Sequence, residues 1–175
     1  MPGPVFCSGE TVDLCPVEKD DLEFFRDAMN DPDVRPNLGS VTPYNMQMEE
    51  DWFENRVCKG DDVKLVIVAD DEPVGNISLN GLDEHHGHAE VGYWVAPDHQ
   101  RNGYGTDALR TATEYAFTER RLRTVMAKVF EFNEASAKVL ESVGYERAGT
   151  LPDWGFVDGK HHDVNLYAVT ADEWP

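Results

Sequence analysis

Apolar residues recur along the chain with two different periods, one typical of strands and one typical of helices. Short runs that are apolar throughout or at alternate positions, and rich in Val, Ile and aromatic residues, predict strands. These runs cover 5–7, 12–16, 63–69, 74–79, 90–95, 124–130, 147–156 and 163–169. Apolar residues spaced three and four positions apart predict helices, which cover 18–30, 45–58, 106–120 and 133–143.

The connections between these segments indicate how the strands pair. Three strands follow one another between 63 and 95 with short connections, which is typical of an antiparallel meander. The strand–helix–strand unit at 89–130 suits a right-handed crossover between parallel strands, and Asp158-Gly159 suits a hairpin turn. We expect a mixed α/β (α+β) fold: one domain, 1–175, with a mostly antiparallel sheet of about seven strands and about four helices on its two faces.

Segment 90–106 carries the clearest chemical signal. A strand ends at Pro97 and Asp98, a loop with Gly103 and Gly105 follows, and a helix begins near Thr106. Glycines let backbone N–H groups point at a ligand without a side chain in the way. A helix N-terminus attracts anions. The segment therefore predicts a site for phosphate groups.

The chain is strongly acidic, with 34 Asp and Glu residues against 15 Lys and Arg, of which six are lysines, and a net charge of −19. Such a chain repels nucleic acid, so we expect no nucleic-acid partner. The acids are spread along the whole sequence. This favours adaptation to a salt-rich cytoplasm, where ions screen their repulsion, with an anionic groove that attracts an amine as the alternative.

Membrane-span, signal and cysteine patterns in the sequence indicate the cellular compartment. No apolar run reaches the 18 residues of a membrane span, and residues 1–10 lack the basic and apolar regions of a secretory signal. Cys7, Cys15 and Cys58 lack metal-binding spacing and predict free thiols in a reducing compartment. We therefore expect a cytoplasmic protein with no membrane partner.

Four motifs occur in order and at ordinary spacing. They are Ala89-Glu-Val-Gly-Tyr-Trp-Val95, Gln100-Arg-Asn-Gly-Tyr-Gly105, Phe132-Asn-Glu-Ala-Ser136 with Gly144-Tyr-Glu146, and the Asp158-Gly-Lys160 turn followed by Asp163-Val-Asn-Leu-Tyr167. Together they resemble the GNAT family of acyl-CoA-dependent N-acetyltransferases over nearly the full chain. Within that family they resemble the branch that contains the ribosomal-protein N-terminal acetyltransferases.

The resemblance implies that acetyl-CoA is the cosubstrate and that its diphosphate binds the N–H groups of about 101–106. The pantetheine arm is expected to pair with the strand at Trp94 and Val95, in a slot that opens where this strand parts from 124–130. Asn133 can cap its helix and contact the pantetheine at once. The expected cofactor contacts are Trp94, Val95, Gln100, Arg101, Asn102, Gly103, Tyr104, Gly105, Thr106, Asn133 and Ser136.

The resemblance also implies two catalytic residues. Glu90 is the candidate general base, because an ammonium must lose a proton before its nitrogen can attack; a solvated residue or a structural ion pair is the alternative. Many relatives place a tyrosine seven residues after the asparagine, where it protonates the leaving thiolate, whereas this chain has Leu140 there. Ser136, one turn after Asn133, is the remaining hydrogen-bond donor to sulfur. A backbone N–H near Val95 would polarise the carbonyl.

The implied reaction is the transfer of an acetyl group to a primary amine by direct attack in a ternary complex. A protein N-terminus is the favoured acceptor and a small-molecule amine is the second. A catalytically silent acyl-CoA-binding regulatory domain is the alternative from another class of protein. The chain has neither a G-x-G-x-x-G motif nor a P-loop, which argues against other nucleotide-binding folds. We expect a monomer or a homodimer.

Two histidine groups lie outside these motifs. His85, His86 and His88 cluster in the sequence, but no cysteine or carboxylate at a matching spacing accompanies them. They therefore predict a solvated turn and no metal site. The pair His161-His162, beside the predicted hairpin turn, is interpreted in the same way.

Four aromatic residues and one acidic run also allow two interpretations each. The aromatic residues that suit either the core or an acceptor pocket are Trp52, Phe53, Trp154 and Phe156. The acidic run Glu49-Glu50-Asp51 is typical of a solvated helix face. It could also attract an amine, because the first two helices border the acceptor in the resembled fold.

Overall fold

The computed structural model describes residues 3–174, which form one eight-stranded sheet and four α-helices. The strands are Cys7–Ser8 (β1), Asp13–Pro16 (β2), Val63–Ala69 (β3), Glu72–Asp83 (β4), His88–Val95 (β5), Thr124–Phe130 (β6), Glu146–Val157 (β7) and Lys160–Thr170 (β8). The helices are Leu22–Asn30 (α1), Met46–Trp52 (α2), Tyr104–Thr118 (α3) and Glu134–Val143 (α4).

The strands lie in the order β1-β2-β3-β4-β5-β6-β8-β7. The pairing of β5 with β6 is parallel and every other pairing is antiparallel. The expected meander (β3 to β5) and the parallel crossover through α3 are therefore confirmed. The sheet has eight strands where about seven were expected, because each of the eight predicted segments contributes a strand, including the first, whose two-residue β1 pairs with β2.

Apolar side chains cover both faces of the sheet. Leu65 and Ile67 of β3 face one core, which also contains the apolar faces of α3 and α4. Val66 and Val68, at the alternate positions, face the other core together with Phe25 of α1. A strand buried on both faces reads as a continuous apolar run, which explains the sequence of β3. None of the described helices is long and apolar enough to cross a membrane.

Several element boundaries differ from the prediction. The 18–30 segment starts with a 3-10 turn at Lys19–Asp21 before α1, and the 45–58 segment continues past α2 as a π-helical turn at Phe53–Val57. The connection between the strands predicted at 74–79 and 90–95 is shorter than expected, since β4 runs to Asp83 and β5 begins at His88. The register shifts between Asn80 and Asp83, and this irregularity breaks the alternation by which the strand could be recognised.

One buried carboxylate ties the first turn of α3 to the β1–β2 connection. Asp107 accepts hydrogen bonds from the N–H groups of Glu10, Thr11 and Val12 at 3.1, 2.6 and 3.0 Å, and from the Thr11 hydroxyl at 3.0 Å. Burial by itself raises the pKa of this carboxyl, but the four donors outweigh burial and hold the pKa below its ordinary value. Asp107 therefore fixes where α3 begins, and with it the loop that precedes α3.

Candidate active site

β5 and β6 are paired only near their first residues. The parallel ladder ends at Glu90 and Met126. Beyond this point β5 stays paired with β4 as far as Val95, while β6 stays paired with β8 as far as Phe130. Strands held by different neighbours diverge, and the free edge of β5 exposes unpaired backbone groups. A cleft therefore opens between β5 and β6, where the family resemblance implied a slot.

The loop between β5 and α3 presents N–H groups that have no internal acceptor. Arg101 and Gly103 adopt positive φ values of 67° and 83°. The first N–H of α3 with a partner is that of Asp107, which donates to Gly103 O at 3.0 Å. Over the described range 3–174, the N–H groups of 101–106 donate to no acceptor. A Cβ at Gly103 would meet nothing within 4 Å, so the loop has room for the diphosphate of acetyl-CoA.

Two side chains hold the shape of this loop. Gln100 Nε2 donates to Val95 O at 3.0 Å, and Asn102 Nδ2 donates to His99 O at 3.2 Å. Asn102 is the one expected cofactor contact that does not line the cleft. Its side chain shapes the loop, whereas Arg101 is exposed on the cleft wall as a cation that suits a phosphate.

The cleft has a volume of about 700 Å³. The predicted site residues that line it are Glu90, Trp94, Val95, Gln100, Arg101, Gly103, Tyr104, Gly105, Thr106, Asn133 and Ser136. The cleft is also lined by Asp33, Asn37 and Leu38, which lie between α1 and α2, and by Trp154 of β7. Residues far apart in the chain thus meet in one cleft large enough for a cofactor arm and a second substrate.

Glu90 lies where the two strands part. Trp94, on the same face of β5, contacts the rings of Phe24 and Phe25, so Glu90 faces the side of α1 and α2. Lys128 Nζ donates to Glu90 Oε2 at 2.7 Å, and the two side chains are 38% and 35% exposed. The structural ion pair considered from the sequence is therefore present. Both partners line the cleft and are open to solvent, so a substrate amine can reach the carboxylate.

Asn133, Ser136 and Tyr93 form the opposite wall. Asn133 Oδ1 accepts a hydrogen bond from Ser136 N at 3.1 Å, which caps α4 as expected. Ser136 Oγ lies 3.1 Å from the Tyr93 hydroxyl. Burial raises the pKa of Tyr93 to about 12, although the bond to Ser136 works in the opposite direction. The phenol therefore keeps its proton at neutral pH and can donate to Ser136.

The sequence did not identify Tyr93 as a site residue. Its position in the strand motif was recognised, but its contact with α4 depends on how the helix packs over the sheet. The hydroxyl that approaches Ser136 Oγ thus comes from β5. The Leu140 side chain is fully buried in the core instead.

The remaining aromatic and acidic candidates are divided between the cleft, the core and the surface. Trp154 lines the cleft, Trp52 and Phe53 belong to the core beneath α2, and Phe156 is exposed. The expectation of a solvated face is wrong for Glu49, which is 4% exposed. This residue lies on the inner face of α2, four positions before Phe53, and burial raises the pKa of its carboxyl.

The histidine pair of the hairpin is also split. His161 is exposed and contacts the ring of Phe156. His162 is buried, because its ring packs against Phe132 and its Nδ1 lies 3.1 Å from Glu131 Oε1. The predicted solvated turn is therefore wrong for His162, whose side chain points to the opposite face of β8 from that of His161.

Comparisons with known proteins agree with this geometry. A family model described as an acetyltransferase (GNAT) domain matches residues 12–146. YdaF of Bacillus subtilis, provisionally named a ribosomal N-acetyltransferase, is 32% identical over 138 residues, which are 79% of this chain and 75% of that protein. The spermidine N(1)-acetyltransferase of Escherichia coli K12 is 25% identical over 158 residues, 90% of this chain and 84% of that protein.

A solved structure has the same fold. The spermidine N-acetyltransferase of Vibrio cholerae, in complex with CoA and spermine, superposes with a TM-score of 0.88 at 20% identity and covers 93% of this chain and 97% of that one. The family match spans most of the chain, from β2 to the start of β7, and so contains the loop and most of the residues that line the cleft. The chain therefore belongs to the GNAT family of acetyl-CoA-dependent N-acetyltransferases.

Proposed function

We propose that this chain, acting as one domain over 1–175, acetylates the N-terminal amine of a protein. Both substrates would occupy the cleft at once, and the amine would attack the thioester directly. The observation that carries the proposal is the parting of β5 and β6, which brings Glu90 and Ser136 into one cleft with residues 101–106, the diphosphate loop. The cofactor would enter this cleft along α3 and α4, and the acceptor would approach beside α1 and α2.

Glu90 is proposed as the general base. The acceptor reaches the cleft as an ammonium, and a proton must pass from its nitrogen to the carboxylate before the nitrogen can attack. Lys128 donates to the same carboxylate at 2.7 Å and orients it. Because the pair is partly exposed, the incoming ammonium can replace Lys128 as the donor.

Ser136 is proposed as the hydrogen-bond donor to the leaving sulfur, and Tyr93 as its positioning residue. The nitrogen–carbon bond forms as the carbon–sulfur bond breaks, and the thiolate that leaves carries the negative charge. A serine hydroxyl stabilises that charge but is too weak an acid to supply the proton, so the proton comes from water or the ammonium product. The unpaired N–H groups at the edge of β5 near Val95 would polarise the carbonyl.

The charge of the cleft supports an acceptor with one ammonium group. Among the described residues that line the cleft, the carboxylates are Asp33 and Glu90, and they are balanced by Arg101 and Lys128. A polyamine needs several carboxylates along its length. The exposed Leu38 and Trp154 suit instead the side chain that follows an N-terminal amine. The likeness to YdaF supports the same acceptor class.

A small-molecule polyamine is the second candidate. It is favoured by the likeness to the spermidine N(1)-acetyltransferase of Escherichia coli and by the net charge of −19, which attracts polycations. The two candidates differ in a way that one assay can separate. Thiol release from acetyl-CoA is measured in high KCl with a panel of peptides that differ in their first two residues, and with spermidine in parallel.

The expected result is thiol release that depends on the peptide, with a mass increase of one acetyl group on its N-terminal fragment. Peptides with a blocked N-terminus serve as the matched control and should remain unmodified. A higher kcat/KM for spermidine than for every peptide would contradict the proposed acceptor. Tight cofactor binding with no amine-dependent release would instead identify the silent acyl-CoA-binding domain.

A further inference from the structure

Three metal-ligating side chains meet where β4 turns into β5. Asp83 Oδ2 lies 2.9 Å from His86 Nδ1 and 3.8 Å from His88 Nε2. One ligand atom from each residue lies within 4.8 Å of the other two. The sequence interpretation found no carboxylate to match these histidines, and the structure corrects it: Asp83 ends β4 and stands beside His88, which begins β5.

The backbone of this turn is held on both sides. The Gly87 N–H donates to Asp83 O at 2.7 Å, and the His86 N–H donates to Asp83 Oδ1 at 2.8 Å. Gly87 O accepts from the N–H groups of Arg123 and Thr124 at 2.6 and 3.0 Å, which anchors the turn to the start of β6. Asp83 Oδ2 and the two imidazoles therefore lie together at the surface, and little further conformational entropy would be lost when they bind an ion.

Among the described residues, no lysine or arginine is paired with this carboxylate oxygen. Within the described residues, Asp83 forms ion pairs with the two imidazoles alone, and these are charged only when protonated. The neighbouring arginines have other partners, since Arg120 pairs with Glu84 at 2.6 Å and Arg123 with Asp172 at 2.7 Å. The carboxylate thus has no permanent cation, in a chain whose net charge of −19 attracts cations.

We propose that Asp83, His86 and His88 form a surface site for a first-row divalent transition metal. Two imidazole nitrogens and one carboxylate oxygen suit Zn²⁺, Co²⁺ or Ni²⁺ far better than Mg²⁺ or Ca²⁺. Ligand atoms around a tetrahedral ion lie about 3.3 Å apart, so small side-chain rotations bring the three together. Their side chains are 35%, 68% and 51% exposed, which leaves the remaining positions of the metal open to water.

The site lies at the opposite end of β5 from the diphosphate loop and does not depend on the proposed acetyl transfer. The test is a titration of the full, tag-free chain with Zn²⁺ by calorimetry and with Co²⁺ by visible absorption. An excess of Mg²⁺ is present throughout, so that scattered surface carboxylates are already occupied. The variants are His86→Ala, His88→Ala and Asp83→Asn, and thermal unfolding in a chelator checks that each one is folded.

His161→Ala is the matched control, since it removes an exposed histidine from a hairpin elsewhere in the sheet. The expected result is one bound ion per chain, with affinity about tenfold or more weaker in each of the three variants and unchanged in the control. Absence of stoichiometric binding by the wild-type chain would overturn the proposal. An equal affinity in the wild type and the His86→Ala variant, or an equal loss in His161→Ala, would overturn it as well.

Discussion

At the scale of single residues, the chemistry depends on the proton acceptor at the parting of β5 and β6. Glu90→Gln keeps the size of the side chain and its contact with Lys128 but removes the basic carboxylate. We expect kcat to fall by about 100-fold, because general-base catalysis typically contributes that much or more. The dissociation constant for CoA should be unchanged, since the diphosphate loop is untouched.

The control for this variant is Glu23→Gln. It removes another glutamate from an ion pair, with Arg26 at 3.2 Å, on the solvent side of α1. Its kcat should equal that of the wild type. If Glu90→Gln also retained full kcat with a saturating acceptor, Glu90 would be only half of a structural ion pair, and the base would have to be sought elsewhere in the cleft.

The Ser136–Tyr93 pair leads to a second prediction at this scale. A hydrogen bond to a charged sulfur is worth about 2 kcal/mol, so Ser136→Ala should lower kcat by about tenfold or more. Tyr93→Phe should lower kcat less, because it removes only the hydroxyl that orients Ser136 at 3.1 Å. The double variant Ser136→Ala, Tyr93→Phe should be no slower than Ser136→Ala, since the two groups act through one contact. Fully additive losses would show that Tyr93 acts independently of the serine.

At the scale of elements, the active-site loop depends on the anchoring of α3 by Asp107. Asp107→Ala leaves the buried N–H group of Val12 and the partly buried N–H group of Thr11 without their acceptor. We expect a loss of about 3 kcal/mol in the free energy of unfolding, measured by chemical denaturation at neutral pH. Thr111→Val, which removes a hydroxyl one turn further along α3, serves as the control and should cost much less.

The same contact makes a prediction about pH. The pKa of Asp107 is lowered in the folded chain, so its contribution to stability is present in full above its ordinary pKa of about 4. That contribution is lost as the pH falls through the lowered value. The difference in unfolding free energy between wild type and Asp107→Asn should therefore shrink below pH 4. A difference that stays constant to pH 2 would contradict the role of the charged form.

Elements with a strong local pattern could be predicted from the sequence to the residue. Val63–Ala69 and Thr124–Phe130 are examples, because every residue of each strand except one lysine is apolar or β-branched. The end of β4 was missed because Asn80, Gly81 and Asp83 are polar or flexible and interrupt the alternation. Local pattern carries no information on an irregular strand end, which is stabilised by its neighbours in the sheet.

The candidate site also has a part that the sequence predicts and a part that it does not. The diphosphate loop could be recognised because its residues are consecutive and their function depends on local backbone geometry. The contacts of Glu90 with Lys128 and of Tyr93 with Ser136 join residues 38 and 43 positions apart. Contacts of this kind depend on which strands lie side by side and where α4 packs, and a single sequence does not contain that information in any local pattern.

At the scale of the whole molecule, the charge should govern stability. A net charge of −19 on 175 residues makes the folded chain repel itself, and dissolved salt screens this repulsion. We expect the melting temperature to rise steadily with KCl concentration up to the molar range, as followed by circular dichroism. A melting temperature that is independent of KCl, from dilute buffer upwards, would contradict adaptation to a salt-rich cytoplasm.

We propose that the N–H groups of 101–106 hold the diphosphate of acetyl-CoA and so direct its acetyl group into the cleft beside Glu90. A crystal structure of the chain with acetyl-CoA in high salt is the decisive experiment. We expect diphosphate oxygens at hydrogen-bonding distance from the loop N–H groups, and a thioester that lies between Val95 and Ser136. A diphosphate bound anywhere else, or a cofactor whose acetyl group points away from Glu90, would contradict it.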